Sequence, residues 1–340
     1  HQAADVQLTS VDLPAREVLL ERLSTLRLAN DANWCYVNAA VLTMLWSFLS
    51  ISTFTLEHWG SHATQIVQML MQHDNEPVEL SRIAFLQPIF TQWQNLGNQG
   101  DPVEFLAHMM RGLCFTGINL SWEKRVQIGL LTEVVDESDQ YTPLILRFDP
   151  AMLQDGTITL SQMLRDWANQ DGMMTALLHP TPLVCVQLDR LIRSGDGQIS
   201  KCDIPVNFHW GLDLPFYDNE GLTITWKTYR VIAAIAHLGH DTAGHCRTML
   251  KVQMNATAST PYMFLLTEDW MRATPAWKEP PWFIRNITCF WLGEWDQVAL
   301  HELDMTQFLS TQRPPEAPTL VGASDLLSHF IDGTEEQVDT

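Results

Sequence analysis

Leu28-Ala29-Asn30-Asp31-Ala32-Asn33-Trp34-Cys35-Tyr36-Val37-Asn38-Ala39 runs straight into an apolar stripe. Val41, Leu42, Leu45, Trp46 and Leu49 recur at helical spacing, so the chain beyond Cys35 reads as a core helix. Cys35 then stands at or near its N-terminus. Unpaired N–H groups and the helix dipole at that end favour thiolate, the nucleophilic form of cysteine. Asn30 lies upstream on the incoming loop, where its amide can donate a hydrogen bond to an oxyanion forming beside the sulfur. A cysteine at a helix start is also an ordinary packing residue. What else the chain supplies decides between the two.

Composition sets the bounds. The chain has 340 residues, 46% of them apolar, enough for one large domain or two small ones with a sizeable core. Forty acids against 20 bases give a formal charge of −20. Such a surface repels nucleic acid and anionic membrane and favours basic partners, so neither nucleic acid nor membrane is expected as a partner. No run reaches the length of a membrane span, and no signal-peptide pattern opens the chain. It begins at His1 and reads as a processed or excised fragment. The six cysteines, Cys35, Cys114, Cys185, Cys202, Cys246 and Cys289, form no C-x-x-C pair and no disulfide framework. A reducing compartment is expected, cytoplasm or nucleus, with no metal and no cofactor.

Four further stretches stand out. In Asn98-Gln99-Gly100-Asp101-Pro102-Val103-Glu104-Phe105-Leu106, Asp101 suits an N-cap, Pro102 the first helical position, and Glu104 the closing member of a capping box. Thr181 to Arg190 reads as a buried strand, and Lys201 to Leu214 as another. From Tyr229 to Leu250 a β-branched, apolar strand enters a turn bearing His237, Gly239, His240 and Gly244, and a second strand leaves carrying His245. Tyr262 to Trp270 is a strand ending in Glu268 and Asp269. Between these lie strand candidates Val126, Ile128, Leu130, Val134, Leu144 and Leu146, and a helix over Thr159 to Ala168. Further helices are expected at Ala15–Leu26, Glu57–His73 and Ser81–Phe90. The last part is tryptophan-rich, then Pro-rich from Gln312 to Thr319, with a frayed end at Glu335–Thr340.

The opening stretch resembles the cysteine box of the ubiquitin-specific proteases, L-x-N-x-G-N-T-C-Y-x-N-A. Leu28, Asn30, Asn33, Cys35, Tyr36, Asn38 and Ala39 match, while Ala32 and Trp34 replace Gly and Thr. Gln99, Asp101, Glu104, Phe105 and Leu106 resemble the family's Q-Q-D-A-x-E-F-L box. Tyr229, Ala233, His237, Gly239, Gly244 and His245 resemble its histidine box, with Cys246 in place of an aromatic. Leu188 and Arg190 loosely resemble L-x-R-F, and Lys201, Val206, Phe208, Leu212, Asp213 and Leu214 a second strand pattern.

The resemblance, in family order over about residues 26–272, implies an α+β, papain-like cysteine peptidase fold of USP type. Its right hand has a helical thumb with Cys35, a β palm with His245, and β fingers without a readable zinc site. It implies a lead-in over 1–27, a catalytic domain over 28–272 and an extension over 273–340. It implies hydrolysis of the (iso)peptide bond after the C-terminal glycine of ubiquitin, with Cys35 as nucleophile, His245 as base and Asn30 at the oxyanion. Asp269 is the first choice to orient the base and Glu268 the second, because direct alignment puts Thr267 there and a shift brings in the acids. Asp101 and Glu104, with Gln99, Gly244 and His237, are implied to hold the arginine-bearing ubiquitin tail. A peptidase for another ubiquitin-like modifier and a silent ubiquitin-binding module are the alternatives.

Overall fold

A computed structural model describes residues 13–30, 33–72, 76–93, 100–149, 156–208, 211–218, 223–239, 244–253 and 262–299. Helices come first: α1 (Arg16–Ser24), α2 (Cys35–Leu49), α3 (Ala63–Gln72), α4 (Gln87–Thr91) and α5 (Pro102–Leu113). Every residue of α2 is buried. A helix covered on all sides needs apolar residues all round, and the stripe in the sequence is only part of that surface. α2 packs against α1, against α5 and against the central sheet. Cys35 therefore starts a helix that is enclosed along its whole length.

Caps and breaks follow local chemistry. Asp101 accepts the N–H of Val103 at 2.7 Å and of Glu104 at 3.4 Å, with Pro102 at the first turn of α5. α5 stops at Cys114, whose backbone is left-handed (φ 52°). The helix expected from Glu57 to His73 is instead a 3-10 segment, Leu56–His62, followed by α3. Gly60 makes the break, with φ 57° and ψ −135°, a conformation that glycine reaches without penalty. Ser81 to Phe90 resolves into short 3-10 turns and α4.

The strands are β1 (Trp122–Ile128), β2 (Leu131–Glu137), β3 (Leu144–Arg147) and β4 (Ile158–Thr159), then α6 (Leu160–Ala168). After it come β5 (Asn169–Gln170), β6 (Met173–Leu177), β7 (Leu183–Asp189), β8 (Leu191–Arg193), β9 (Ile199–Lys201) and β10 (Val206–Asn207). β11 (Gly211–Tyr217), β12 (Ile224–Gly239), β13 (Gly244–Gln253), β14 (Tyr262–Thr267) and β15 (Thr274–Ala276) lead to α7 (Pro281–Ile284) and β16 (Ile287–Glu294). Most of them share one curled sheet, in the order β15-β14-β13-β12-β11-β6-β1-β2, with β16 bridging β12 to β7 and β3 beyond. β12 is the hinge of this topology: its first half pairs with β11, and its second half with β13 on one side and β16 on the other.

The β1–β2 hairpin carries the sheet outward as the fingers. All of β2 is exposed, and β1 is tied back through β6. Residues 115–184 contain no cysteine; backbone ladders hold this part of the chain. No disulfide forms among the described residues.

The sheet does not end at residue 272, where the sequence reading closed the domain. β15 pairs with β14, and β16 lies between β12 and β7 with Ile287, Cys289, Phe290, Trp291 and Leu292 fully buried. The Trp291 indole N–H donates to Thr43 of α2 at 3.2 Å. Gln312–Thr319 and Glu335–Thr340 lie outside the described residues. No helix among the described residues is long and apolar enough to cross a membrane.

Candidate active site

Cys35 is the first residue of α2 and only 5% exposed. The loop before it turns at Asn33, whose left-handed backbone (φ 60°) is one that Asn tolerates better than most residues. Asn30 pins this loop: its Oδ1 accepts the Trp34 N–H at 2.6 Å. That leaves the amide NH2 as the donor end.

β13 brings His245 to the thiol. The β12–β13 ladder continues to the Gly239–Gly244 pair, with His245 opposite Leu238 and Cys246 opposite His237. Gly244 has no room for a side chain. A Cβ there would meet the Leu238 carbonyl oxygen at 2.1 Å and His237 Nε2 at 2.7 Å. His237 packs its ring against that backbone, and burial together with the Lys201 charge keeps it below its usual range, hence neutral. Lys201 ties the hairpin end by donating to the carbonyls of His237 and Gly239 and to Asn286 Oδ1.

The acids enter from the end of β14. His245 Nε2 hydrogen-bonds Glu268 Oε1, while Asp269 Oδ2 stands 3.8 Å from His245 Nδ1. Glu268 also meets Arg247, whose Nε lies 2.9 Å from Oε2 and 3.2 Å from the Thr267 carbonyl oxygen. Asp269 has a different neighbour: Asn38, one turn into α2, donates to its Oδ1 at 2.8 Å and to the Ala29 carbonyl at 3.0 Å. The reading that ranked Asp269 ahead of Glu268 therefore meets a geometry in which Glu268 holds the hydrogen bond. The β13–β14 register explains it. Thr248 pairs with Thr267, so one step further along the ladder sets Arg247 opposite Glu268, with His245 on the diagonal.

Electrostatics follow from these contacts. A hydrogen bond from the Cys246 thiol pulls the Cys35 thiol down, against burial and with His245 helping, to about 4. Burial alone would discharge His245; the hydrogen bonds and charges of Cys35 and Glu268 override it and carry the imidazole up to about 10. The two shifts describe one ion pair, thiolate and imidazolium, not two independent titrations. Burial raises Glu268, but His245 and Arg247 outweigh it and hold the carboxylate below its usual range. Burial pushes Asp269 up to about 6, with Asn38 opposing. Donor atoms of His245, Glu268 and Asp269 lie within 4.8 Å of one another, a spacing a metal could use. The Arg247 cation on Glu268 opposes that use.

The α5 residues flank this cluster, and the charge of Asp101 reaches Cys246. Asp101 is half-buried, its carboxyl raised by burial, with Oδ2 3.5 Å from Gln187 of β7. Glu104 is exposed, and among the described residues its carboxylate makes no hydrogen bond or ion pair. The reciprocal half of the expected capping box is thus not formed. Gly100 packs directly on Tyr36, leaving no space for a Cβ, which would lie 2.9 Å from the ring. Gln99 and His240 lie outside the described residues. Arg247 and Trp282 escaped the sequence reading. The available signal was Arg247 as one of two cations, with Lys251, in the otherwise largely apolar strand Cys246–Val252.

No family model matches the sequence, and no curated protein does. Solved structures do. A chain of the SAGA Ubp8/Sgf11/Sus1/Sgf73 DUB module bound to ubiquitin aldehyde aligns with a TM-score of 0.58 at 13% identity, over 81% of this chain and 70% of that one. The module bound to monoubiquitin gives 0.56 at 13% identity, over 86% and 72%. A yeast SAGA DUB module with a mutant Sgf73 gives 0.53 at 12% identity, over 86% and 72%. The likeness is one of fold. This α+β chain with its curled sheet has the architecture of the USP catalytic domain.

Proposed function

We propose that the protein is a cysteine-type deubiquitinase that hydrolyses the (iso)peptide bond after the C-terminal glycine of ubiquitin. The observation that carries this reading is the Cys35–His245–Glu268 chain of contacts at the start of a buried helix, set in a fold shared with ubiquitin-bound structures. Cys35 thiolate attacks the glycine carbonyl. The oxyanion is met by the Asn30 NH2 group and by N–H groups at the start of α2. His245, protonated and oriented by Glu268, gives its proton to the leaving amine as the C–N bond breaks. Water then attacks the thioester, with His245 taking a proton from it, and the free thiolate returns. Asp101 and Glu104 on α5 receive the basic tail of the modifier. No cofactor enters any step. A reducing compartment, cytoplasm or nucleus, suits a thiolate nucleophile.

The test is capture and turnover together. A ubiquitin probe with a C-terminal electrophile is expected to modify Cys35 and no other cysteine. A fluorogenic ubiquitin C-terminal amide is expected to be cleaved by the native chain and not by Cys35→Ala. Capture at Cys246 or Cys114 with Cys35 free sinks the assignment. Tight ubiquitin binding without cleavage makes the protein a binding module instead.

A further inference from the structure

Arg247 is a buried charge that the chemistry above does not use. It is 3% exposed, and a cation so placed is costly unless its surroundings compensate it. Among the described residues its surroundings do so, the charge of Asp269 included. Its Nε lies 2.9 Å from Glu268 Oε2 and 3.2 Å from the Thr267 carbonyl oxygen. Its guanidinium carbon lies 4.7 Å from the centre of the Trp282 ring, a cation–π arrangement. Glu268 gives its other oxygen to His245. One carboxylate thus joins the arginine to the imidazole. Trp282 belongs to α7, in the segment the sequence reading set outside the domain.

The other charged and titratable groups around this assembly are placed differently. Asp269 lies on the Nδ1 side of His245. Cys35 and Cys246 lie on the sulfur side. Lys201 and His237 stand at the hairpin end, and the field of Asp101 reaches Cys246 from α5. Among the described residues, Arg247 is the cation that touches Glu268 besides His245.

A glutamate has more rotatable bonds than an aspartate, and left alone its carboxylate would spend much of its time away from the ring. A planar guanidinium held on one face by an indole removes that freedom. We propose that Arg247 is a positioning residue that locks Glu268 against His245, and that Trp282 in turn locks Arg247. This inference rests on the Cys35–His245 reading given under Proposed function.

The experiment measures the rate of Cys35 alkylation by iodoacetamide against pH, located by peptide mass spectrometry, alongside kcat and KM on the fluorogenic ubiquitin amide. Arg247→Met is expected to lower kcat by about tenfold to a hundredfold with KM within about twofold. The acid limb of Cys35 alkylation should move up by about one pH unit, because the imidazolium partner is held less well. Trp282→Leu should move both readouts the same way by less, and Arg247→Lys, which keeps the charge but not the planar fork, should fall between. In a Glu268→Gln background Arg247→Met should add nothing further, an outcome that general destabilisation does not produce. Should Arg247→Met fail to fold, as judged by circular dichroism, Arg247→Lys and Trp282→Leu carry the same test. A folded Arg247→Met with the native kcat and acid limb overturns the inference, as does an equal loss in both backgrounds. Alkylation needs no ubiquitin. A native chain with the low acid limb but no turnover defeats the deubiquitinase reading alone, and the alkylation series still decides Arg247.

Discussion

Single residues carry unequal amounts of this reading. Cys35 and His245 stand out in the sequence through their local stretches: a thiol before an apolar helix, and a histidine directly after Gly244 at the start of a strand. Which acid meets the imidazole was not legible, because that contact depends on a strand register that only the folded sheet sets. Glu268 meets Nε2 and Arg247, whereas Asp269 is engaged by Asn38. Glu268→Gln is therefore expected to lower kcat by about a hundredfold or more with little change in KM, and Asp269→Asn by about tenfold or less. The reverse order would return the role to Asp269. The pH profile discriminates again. Under the proposed function, activity needs thiolate and imidazolium together. Thiolate is lost as pH falls through about 4 and imidazolium as pH rises through about 10, so kcat/KM should be flat between. Asp269 takes up its proton near 6, inside that plateau. A distinct acid limb near pH 6, abolished by Asp269→Asn, would show that its charge is required after all.

At the level of elements, caps and periodicity located α2, α5 and α6 closely. Asp101, Pro102 and Thr159 stand where the backbone needs an acceptor or a preset φ. The β16 stretch read only as a strand or packed loop, set outside the domain. It is buried on both faces, so its sequence shows a block of apolar residues with no alternation to mark it as a strand. It is also central, pairing with β12 and β7 at once. Its five fully buried side chains, Ile287, Cys289, Phe290, Trp291 and Leu292, contribute about 1.5–3 kcal/mol for each large one. Against a typical net stability of about 5–15 kcal/mol, no domain survives their loss. A chain ending at residue 272 is expected to show no cooperative thermal transition and to bind a hydrophobic dye, while one ending at residue 299 melts cooperatively. A sharp transition from the shorter chain would mean that β12 and β7 close without β16.

For the whole molecule, the fold class was legible from the order of the three motif stretches, but the path of the sheet was not. Strand order depends on pairings between residues far apart in the chain, such as Val231 with Leu292, and no local pattern encodes them. Net charge was legible outright, and its consequence is selectivity. A chain of formal charge −20 attracts basic partners over a distance, yet only a fixed carboxylate can tell one basic tail from another. Glu104 is placed to do so. It rides on the first turn of α5, exposed, its carboxylate making no hydrogen bond or ion pair among the described residues. Asp101 caps the helix without its help. Under the proposed function, Glu104 forms a bidentate pair with an arginine of the ubiquitin tail. A modifier with the same glycine end but no arginine would leave the carboxylate unpaired at a cost of about 1–3 kcal/mol, or roughly fivefold to a hundredfold in kcat/KM. Glu104→Ala should therefore lower turnover of ubiquitin substrates by that factor and leave modifiers without the arginine nearly unaffected. Because the carboxylate makes no hydrogen bond or ion pair among the described residues and contributes only a small helix-dipole effect, the melting temperature should change by only a few degrees at most. If all substrates lose activity equally, in step with a lowered melting temperature, Glu104 is a structural residue of α5 and selectivity must be sought elsewhere on the surface.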